Sequence, residues 1–229
     1  MSHSPPQLGR SLWQSSISLL LFALATAGLV ASTYLLTTDR ISDNRAQAAA
    51  RMMYTLLPTG RAYQIDLHHP LELPAAPALG QQQTFQAYIA LASDSPALEQ
   101  GALILPIIAR DGYSGQIHLL LALNTQGEVL GVRVLEHQET PGLGDKIERQ
   151  KSDWILSFNG RSLSNTSGWA VQRDGGEFDQ FTGATITPRA VVRAVHRALI
   201  WQEQHQALLD SALANWQAEA ERRDQETSP

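Results

Sequence analysis

Apolar and polar positions alternate along this chain in three regimes. From Ile17 to Leu36 (ISLLLFALATAGLVASTYLL) the residues are apolar or small, and no charge occurs between Arg10 and Asp39. Twenty such residues cross a hydrocarbon core of about 30 Å as a helix. A cleaved signal peptide is the competing reading, with Ala25, Ala27, Ala31 and Ser32 as small residues for a peptidase; its apolar core runs about 7–15 residues, shorter than this stretch, which favours a retained anchor. Asp39 to Leu57 is rich in helix formers, has apolar residues at Ile41, Ala48, Met52 and Leu56, and stops at Pro58 and Gly60. It predicts a juxtamembrane helix that serves either as a stalk or as a helix packed on the domain.

The second regime is β. His68 to Gly80 holds three prolines and reads as a loop or irregular crossing. Thr84–Leu91, Ala102–Ala109, Gln116–Leu123 and Glu128–Glu136 are aliphatic runs, separated by turn signals at Ser93–Pro96, Asp111–Gly115 and Asn124–Gly127. They predict an antiparallel or mixed meander, with Pro106 marking an edge or a bulge. A short helix is expected from Asp145, a short amphipathic segment over Lys151–Phe158 and a further strand at Gly168–Val171. The third regime follows Pro188: Val191, Val192, Val195, Ala198, Leu199, Leu208, Leu209 and Leu213 recur mostly at helical spacing, so a long helix with a possible interruption closes the chain. The expected organisation is a tail (1–16), a membrane span (17–36), a juxtamembrane helix (37–58), a domain over 59–218 with its core near 102–200, and a charged, flexible tail (219–229).

Composition narrows the chemistry. Among 229 residues, 43% are hydrophobic and 17% charged, as expected for a globular domain with an added segment. The net charge of −5 and the lack of a basic stripe argue against nucleic acid as partner. There is no cysteine, which excludes disulfides, thiolate zinc sites and iron–sulfur ligation by this chain. The seven histidines show no metal-site spacing. No metal site and no catalytic residue of the chain's own is therefore expected, and redox chemistry would need a bound cofactor.

Two loops carry candidate chemistry. Asp174 to Arg189 couples the Gly175–Gly176 turn and the small pair Gly183–Ala184 to a helix start, with Thr187 as the expected N-cap and Pro188 at the first helical position. Unpaired N–H groups and the helix dipole there can seat a phosphate, and Thr182 and Thr185 flank the approach. By itself Thr182-Gly183-Ala184-Thr185 reads more readily as helix capping. His137 to Gly144 is a polar, glycine-containing loop at a strand end, suited to ligand contacts or to a plain turn.

Asp179-Gln180-Phe181-Thr182-Gly183-Ala184-Thr185 resembles the flavinylation motif of proteins that carry FMN on a threonine through a phosphoester. With the N-terminal span, Gly112-Tyr113-Ser114-Gly115, Glu139-Thr140-Pro141-Gly142-Leu143-Gly144 and Asp174-Gly175-Gly176, most of the chain is similar to the G subunit of the Rnf (Rsx) electron-transport complex. The related C subunit of the sodium-pumping NADH:quinone reductase shares the span and the motif, but Phe181 and Ile186-Thr187-Pro188-Arg189 look more like Rnf. Ser114 departs from the glycine expected there.

The resemblance implies an α+β fold: one transmembrane helix, then an FMN-binding domain with a twisted antiparallel or mixed sheet packed by helices. It implies an electron-carrying flavoprotein subunit of an ion-translocating oxidoreductase, with one FMN per chain bound covalently at Thr185 by a separate flavin transferase that uses FAD. Thr182, Gly183, Ala184 and Asp179 belong to the same motif, with Asp179 serving the transferase or the local turn. Glu139, Thr140, Gly142, Leu143 and Gly144 are expected at the flavin ring, and Tyr113 and Trp169 near it or in the core. Other subunits of the complex and lipid would be partners. Arg40, Arg45 and Arg51 after the span, against Arg10 before it, favour a cytoplasmic domain on a bare Lys/Arg count; the resemblance implies the periplasmic face of the bacterial inner membrane instead. The rival readings are a membrane-tethered module binding a diffusible ligand without redox activity, and a structural subunit in which the motif only caps a helix.

Overall fold

A computed structural model describes residues 8–58, 60, 62–93 and 101–227. Residues 1–7 of the expected tail and most of the expected Ser93–Pro96 turn lie outside them. The chain divides into two compact units, Met1–Ala48 and Ala49–Pro229. Helix α1 (Leu8–Leu56) carries the first unit and contributes its last turns to the second. Within it Ser16–Tyr34 is long and apolar enough to cross a membrane.

The second unit is α+β, built on an antiparallel sheet rather than a mixed one. Strands β1 (Tyr63–Ile65), β3 (Phe85–Ala92), β4 (Ala102–Ala109), β5 (Ile117–Asn124) and β6 (Val129–Glu136) follow the order β1-β3-β4-β5-β6, and β2 (Leu71–Leu73) pairs with β3. The pairing of β4 and β5 runs from Ala102↔Asn124 to Ala109↔Ile117. Pro106 lies within β4, whose register with β3 ends at Ile104, so the proline sits beyond the stretch flanked on both sides.

Successive residues of these strands point to opposite faces, and both faces are covered. Ile117, Leu119, Leu121 and Leu123 of β5 join the large core with Val191, Val195 and Leu199 of helix α2 (Ile186–Gln204). Leu120 and Ala122, with Ala102 and Ile104 of β4, pack instead against Met53, Leu56 and Leu57 at the end of α1. Double burial explains the unbroken apolar runs of β4 and β5, where a sheet with one wet face would alternate. Of the two roles expected for the juxtamembrane helix, its last turn takes the packing role.

Several expectations are corrected. The proline-rich crossing is not all loop: Leu71 and Leu73 are buried around exposed Glu72 in β2, and Pro77–Leu79 forms a short 3-10 turn. Gly168–Val171 forms no strand; Val171 makes one isolated parallel bridge to Phe178. The short helix expected from Asp145 is present as the 3-10 turn Asp145–Ile147, and the short segment Lys151–Phe158 contains a second, Trp154–Phe158. The interruption expected in the closing helix does occur, at His205, between α2 and α3 (Gln206–Thr227). Where a flexible tail is expected from Glu219, α3 continues through Thr227, consistent with the good helix propensity of its Ala, Glu, Arg and Gln residues.

Candidate functional site

Strand β6 delivers the Glu139–Gly144 loop. The carbonyl of Thr140 accepts the N–H groups of Leu143 (3.2 Å) and Gly144 (2.9 Å), closing a tight turn in which Gly142 takes φ 76°. His137 braces its base: Nδ1 accepts the backbone N–H of Glu139 at 3.0 Å, so Nε2 is the nitrogen that faces Glu148 Oε1 at 2.9 Å.

The opposing wall is the turn Phe181–Ala184. Ala184 N–H returns to the Phe181 carbonyl at 3.1 Å, and Gly183 occupies the third position at φ 83°, where a side chain would be strained. Phe181 anchors the turn, buried with its ring 5.1 Å edge-on from Trp154, whose indole N–H donates to the Asp179 carbonyl at 2.8 Å. Upstream, Arg189 grips Asp174 through Nε (2.5 Å) and Nη2 (2.8 Å), tying the Gly175–Gly176 turn to α2. The guanidinium of Arg189, backed by the charges of Arg193 and Arg173, holds the Asp174 carboxyl below its ordinary value.

The helix start differs from expectation. Thr185, not Thr187, is the N-cap of α2; its φ of −80° and ψ of −27° are already helical, and its carbonyl accepts the Arg189 N–H at 3.3 Å. Pro188 is therefore the third helical residue, not the first. Thr185 makes no side-chain capping hydrogen bond. The N–H groups of Ile186 and Thr187 precede any intrahelical acceptor, which leaves the positive end of the helix open beside that hydroxyl.

Thr187 has another task. Its hydroxyl donates to the Oε2 of Glu139, while the Ser114 N–H donates to Oε1 at 2.9 Å. Glu139 is 4% exposed and Thr187 1%. The carboxylate of Glu139, a residue of the loop expected at the flavin ring, is thus bonded within the protein, where it clamps the Gly112–Gly115 loop, the Glu139–Gly144 loop and α2 together. Gly144 and Gly112 make room for it: a Cβ on Gly144 would lie 2.9 Å from Glu139 Cβ, and one on Gly112 2.9 Å from Oε1.

Between the walls lies a cavity of about 270 Å³ lined by Tyr113, Glu139, Thr140, Leu143, Gly144, Gly183, Ala184, Thr185, Ile186 and Thr187. It brings together seven of the ten expected residues. Thr182, Asp179 and Gly142 are exposed and not among the lining, and Trp169 packs in the core against Phe158 and Phe178. Ile186 and the structural part of Thr187 are additions that the sequence does not announce. Thr-Pro is a common cap signature, and the partner of Thr187 is distant in sequence.

The lining suits FMN: a free hydroxyl and open helix N–H groups at one end fit a phosphate, and Leu143, Ile186 and Tyr113, all exposed apolar side chains, fit a flat aromatic ring. Residues 112–200 match the family described as FMN-binding domain, and residues 1–56 the RnfG N-terminal region. The chain is 45% identical over 214 residues to the G subunit of the ion-translocating oxidoreductase complex of Shewanella oneidensis, covering 90% of this chain and 96% of that protein. The G subunits of the same complex from Pseudomonas aeruginosa (47%; 83% and 88% covered) and Salmonella typhimurium (46%; 87% and 95% covered) are similarly related. The chain belongs to the family of G subunits of ion-translocating oxidoreductase complexes and carries that family's FMN-binding domain.

Proposed function

We propose that this protein is a membrane-anchored electron carrier within an ion-translocating oxidoreductase complex, holding one FMN covalently at Thr185. The observation that carries the reading is the position of Thr185: its hydroxyl, free of any capping bond, stands at the open start of α2 on the same cavity as Thr140, Leu143 and Gly144. When bound, FMN supplies one- and two-electron chemistry that no side chain of this cysteine-free chain offers.

The protein's part is to seat and orient. The dipole and N–H groups of the first turn of α2 favour the phosphate by about 0.3–1 kcal/mol or more. Gly183 and Ala184 keep bulk away from the ester, and Leu143 and Ile186 supply apolar surface for the ring. Attachment requires a flavin transferase: the Thr185 Oγ–P bond forms from FAD as the pyrophosphate P–O bond breaks, AMP leaves, and the hydroxyl proton is released. Exposed Asp179 and Thr182 flank Thr185 where such an enzyme can reach them. Ser16–Tyr34 anchors the chain in the bacterial inner membrane, with the domain on the periplasmic side among the other subunits.

Denaturing electrophoresis under ultraviolet light tests the reading. Protein made with the transferase present should give a fluorescent band that survives boiling, lost in Thr185→Val and retained in Thr182→Val. A dark wild-type band overturns it. A C-terminal reporter active only outside the cytoplasm tests the topology.

A further inference from the structure

His137 is not among the residues that line the candidate cavity, yet its ring meets both stems of the loop that forms one wall. We propose that His137 is a positioning residue of the flavin site, which holds the Glu139–Gly144 loop in place as one tautomer, with its hydrogen on Nε2. The proposal rests on the reading that FMN occupies this cavity, and it concerns how the wall is held.

The near stem leaves β6 at Glu136, and the far stem ends at Glu148. At the first, the Glu139 N–H donates to His137 Nδ1 at 3.0 Å; at the second, Nε2 lies 2.9 Å from Glu148 Oε1. One imidazole thus joins stems 11 positions apart, with the Thr140–Gly144 turn between them. Glu148 is itself held, since its N–H donates to the Asp145 carbonyl at 2.9 Å and its carbonyl accepts Lys151 and Ser152 at 3.0 and 3.1 Å. The far stem is a fixed point for the near one. The near bond matters because the carboxylate of Glu139 accepts the Thr187 hydroxyl and the Ser114 N–H. His137 therefore acts through Glu139, the residue that ties α2 to the opposite wall.

The two contacts admit one state of the ring. A neutral imidazole has one donor nitrogen and one acceptor nitrogen, and an imidazolium has two donors. The Glu139 N–H requires an acceptor at Nδ1, whereas the Glu148 carboxylate requires a donor at Nε2. The Nδ1–H tautomer fails at both contacts, and the imidazolium fails at Glu139. The His137 side chain is only 12% exposed, so water has little access to replace a lost partner.

The test uses the full chain in detergent micelles, made with and without the transferase. In flavin-free protein, His137→Ala should speed amide hydrogen exchange at Glu139 roughly tenfold. His137→Asn should restore much of that protection, because an Asn side chain accepts the N–H two residues on. His137→Gln, one methylene longer, should behave like Ala. In 15N-histidine-labelled protein, the ring signals absent from His137→Asn should show a bare Nδ1 and a hydrogen on Nε2. In flavin-loaded protein, the visible circular dichroism of FMN should change in the Ala and Gln variants and return toward wild type in Asn. If His137→Ala does not fold, Glu148→Ala removes the far bond alone and should change the same band. Wild-type exchange at Glu139 in the variants, a hydrogen on Nδ1, or lost protection with an unchanged flavin band overturns the proposal. Protein that carries no flavin counts against the Thr185 reading alone, because the exchange and nitrogen measurements still decide whether His137 holds the loop.

Discussion

Thr187 donates its hydroxyl to the carboxylate of Glu139, a residue 48 positions earlier in the chain, and both are buried. The same carboxylate takes the Ser114 N–H. Three segments meeting at the cavity are therefore joined through one side chain, and the wall bearing Thr185 is held against the wall bearing Leu143.

Glu139→Ala should leave two donors, the Ser114 N–H and the Thr187 hydroxyl, without acceptors. Each buried unsatisfied group costs about 1–3 kcal/mol. Glu139→Gln keeps an acceptor oxygen and should cost less. Denaturant unfolding of the full chain measures both, with the expected order wild type, Gln, Ala. Equal midpoints for wild type and Glu139→Ala would show that the clamp adds nothing to stability.

Under the proposed attachment of FMN at Thr185, Gly183 should limit that attachment through its backbone rather than through crowding. A Cβ there would stand 3.5 Å from Leu143 Cδ2, an ordinary contact, but φ of 83° is costly for an L side chain by about 1–2 kcal/mol. Asn tolerates this region better than Ala, and Val worse. The ratio of flavin fluorescence to stained protein should fall in the order Gly, Asn, Ala, Val. If Asn and Val incorporate flavin equally, the left-handed turn is not what the transferase requires.

The sheet is legible in the sequence because double burial leaves long aliphatic runs, and the run Ala102–Ala109 coincides with β4. β1 and β2 stay hidden because three residues carry too little period, and in β2 the prolines around Leu71-Glu72-Leu73 outweigh the alternation. Most of the candidate cavity is readable from its two glycine-containing loops. The helix cap is displaced by two residues from its expected place because Thr187-Pro188 mimics a cap and start, whereas tertiary structure spends the Thr187 hydroxyl on Glu139. A bond across 48 residues leaves no local trace, so the clamp becomes visible only in the fold.

Acid should loosen the Gly175–Gly176 turn before the sheet. Asp174 is held below its ordinary value, chiefly by the hydrogen bond from Arg189, so the folded state binds its proton less readily than the unfolded chain does. The stability this contributes is present above the unfolded value of about 3.9 and is lost as pH falls through the folded value. Glu177, held down by its hydrogen bond from Arg161, acts in the same direction. Asp174→Asn should lower the melting temperature near neutral pH and reduce its decline below about pH 4. A variant whose acid decline matches that of wild type would remove Asp174 from the pH response.

Gly131 is needed for space alone, and its replacement should separate folding from flavin binding. A Cβ there would lie 2.3 Å from the Leu56 carbonyl oxygen and 3.1 Å from its carbon, both backbone atoms with no rotamer to escape into. Gly131→Ala must lift the end of α1 from the sheet. That movement loosens Met53, Leu56 and Leu57 from Ile104, Leu120 and Ala122, and disturbs the 2.6 Å bond from Arg133 Nη2 to the Thr55 carbonyl. Overpacking of this kind costs about 1–3 kcal/mol. The Glu139–Gly144 loop that lines the candidate cavity begins beyond Glu136, at the far end of the same strand, so molecules that still fold should carry flavin in the wild-type proportion. The expected pair of results is an earlier unfolding midpoint with unchanged fluorescence per folded chain; a wild-type midpoint would mean that the close approach of α1 to β6 does not stabilise the domain.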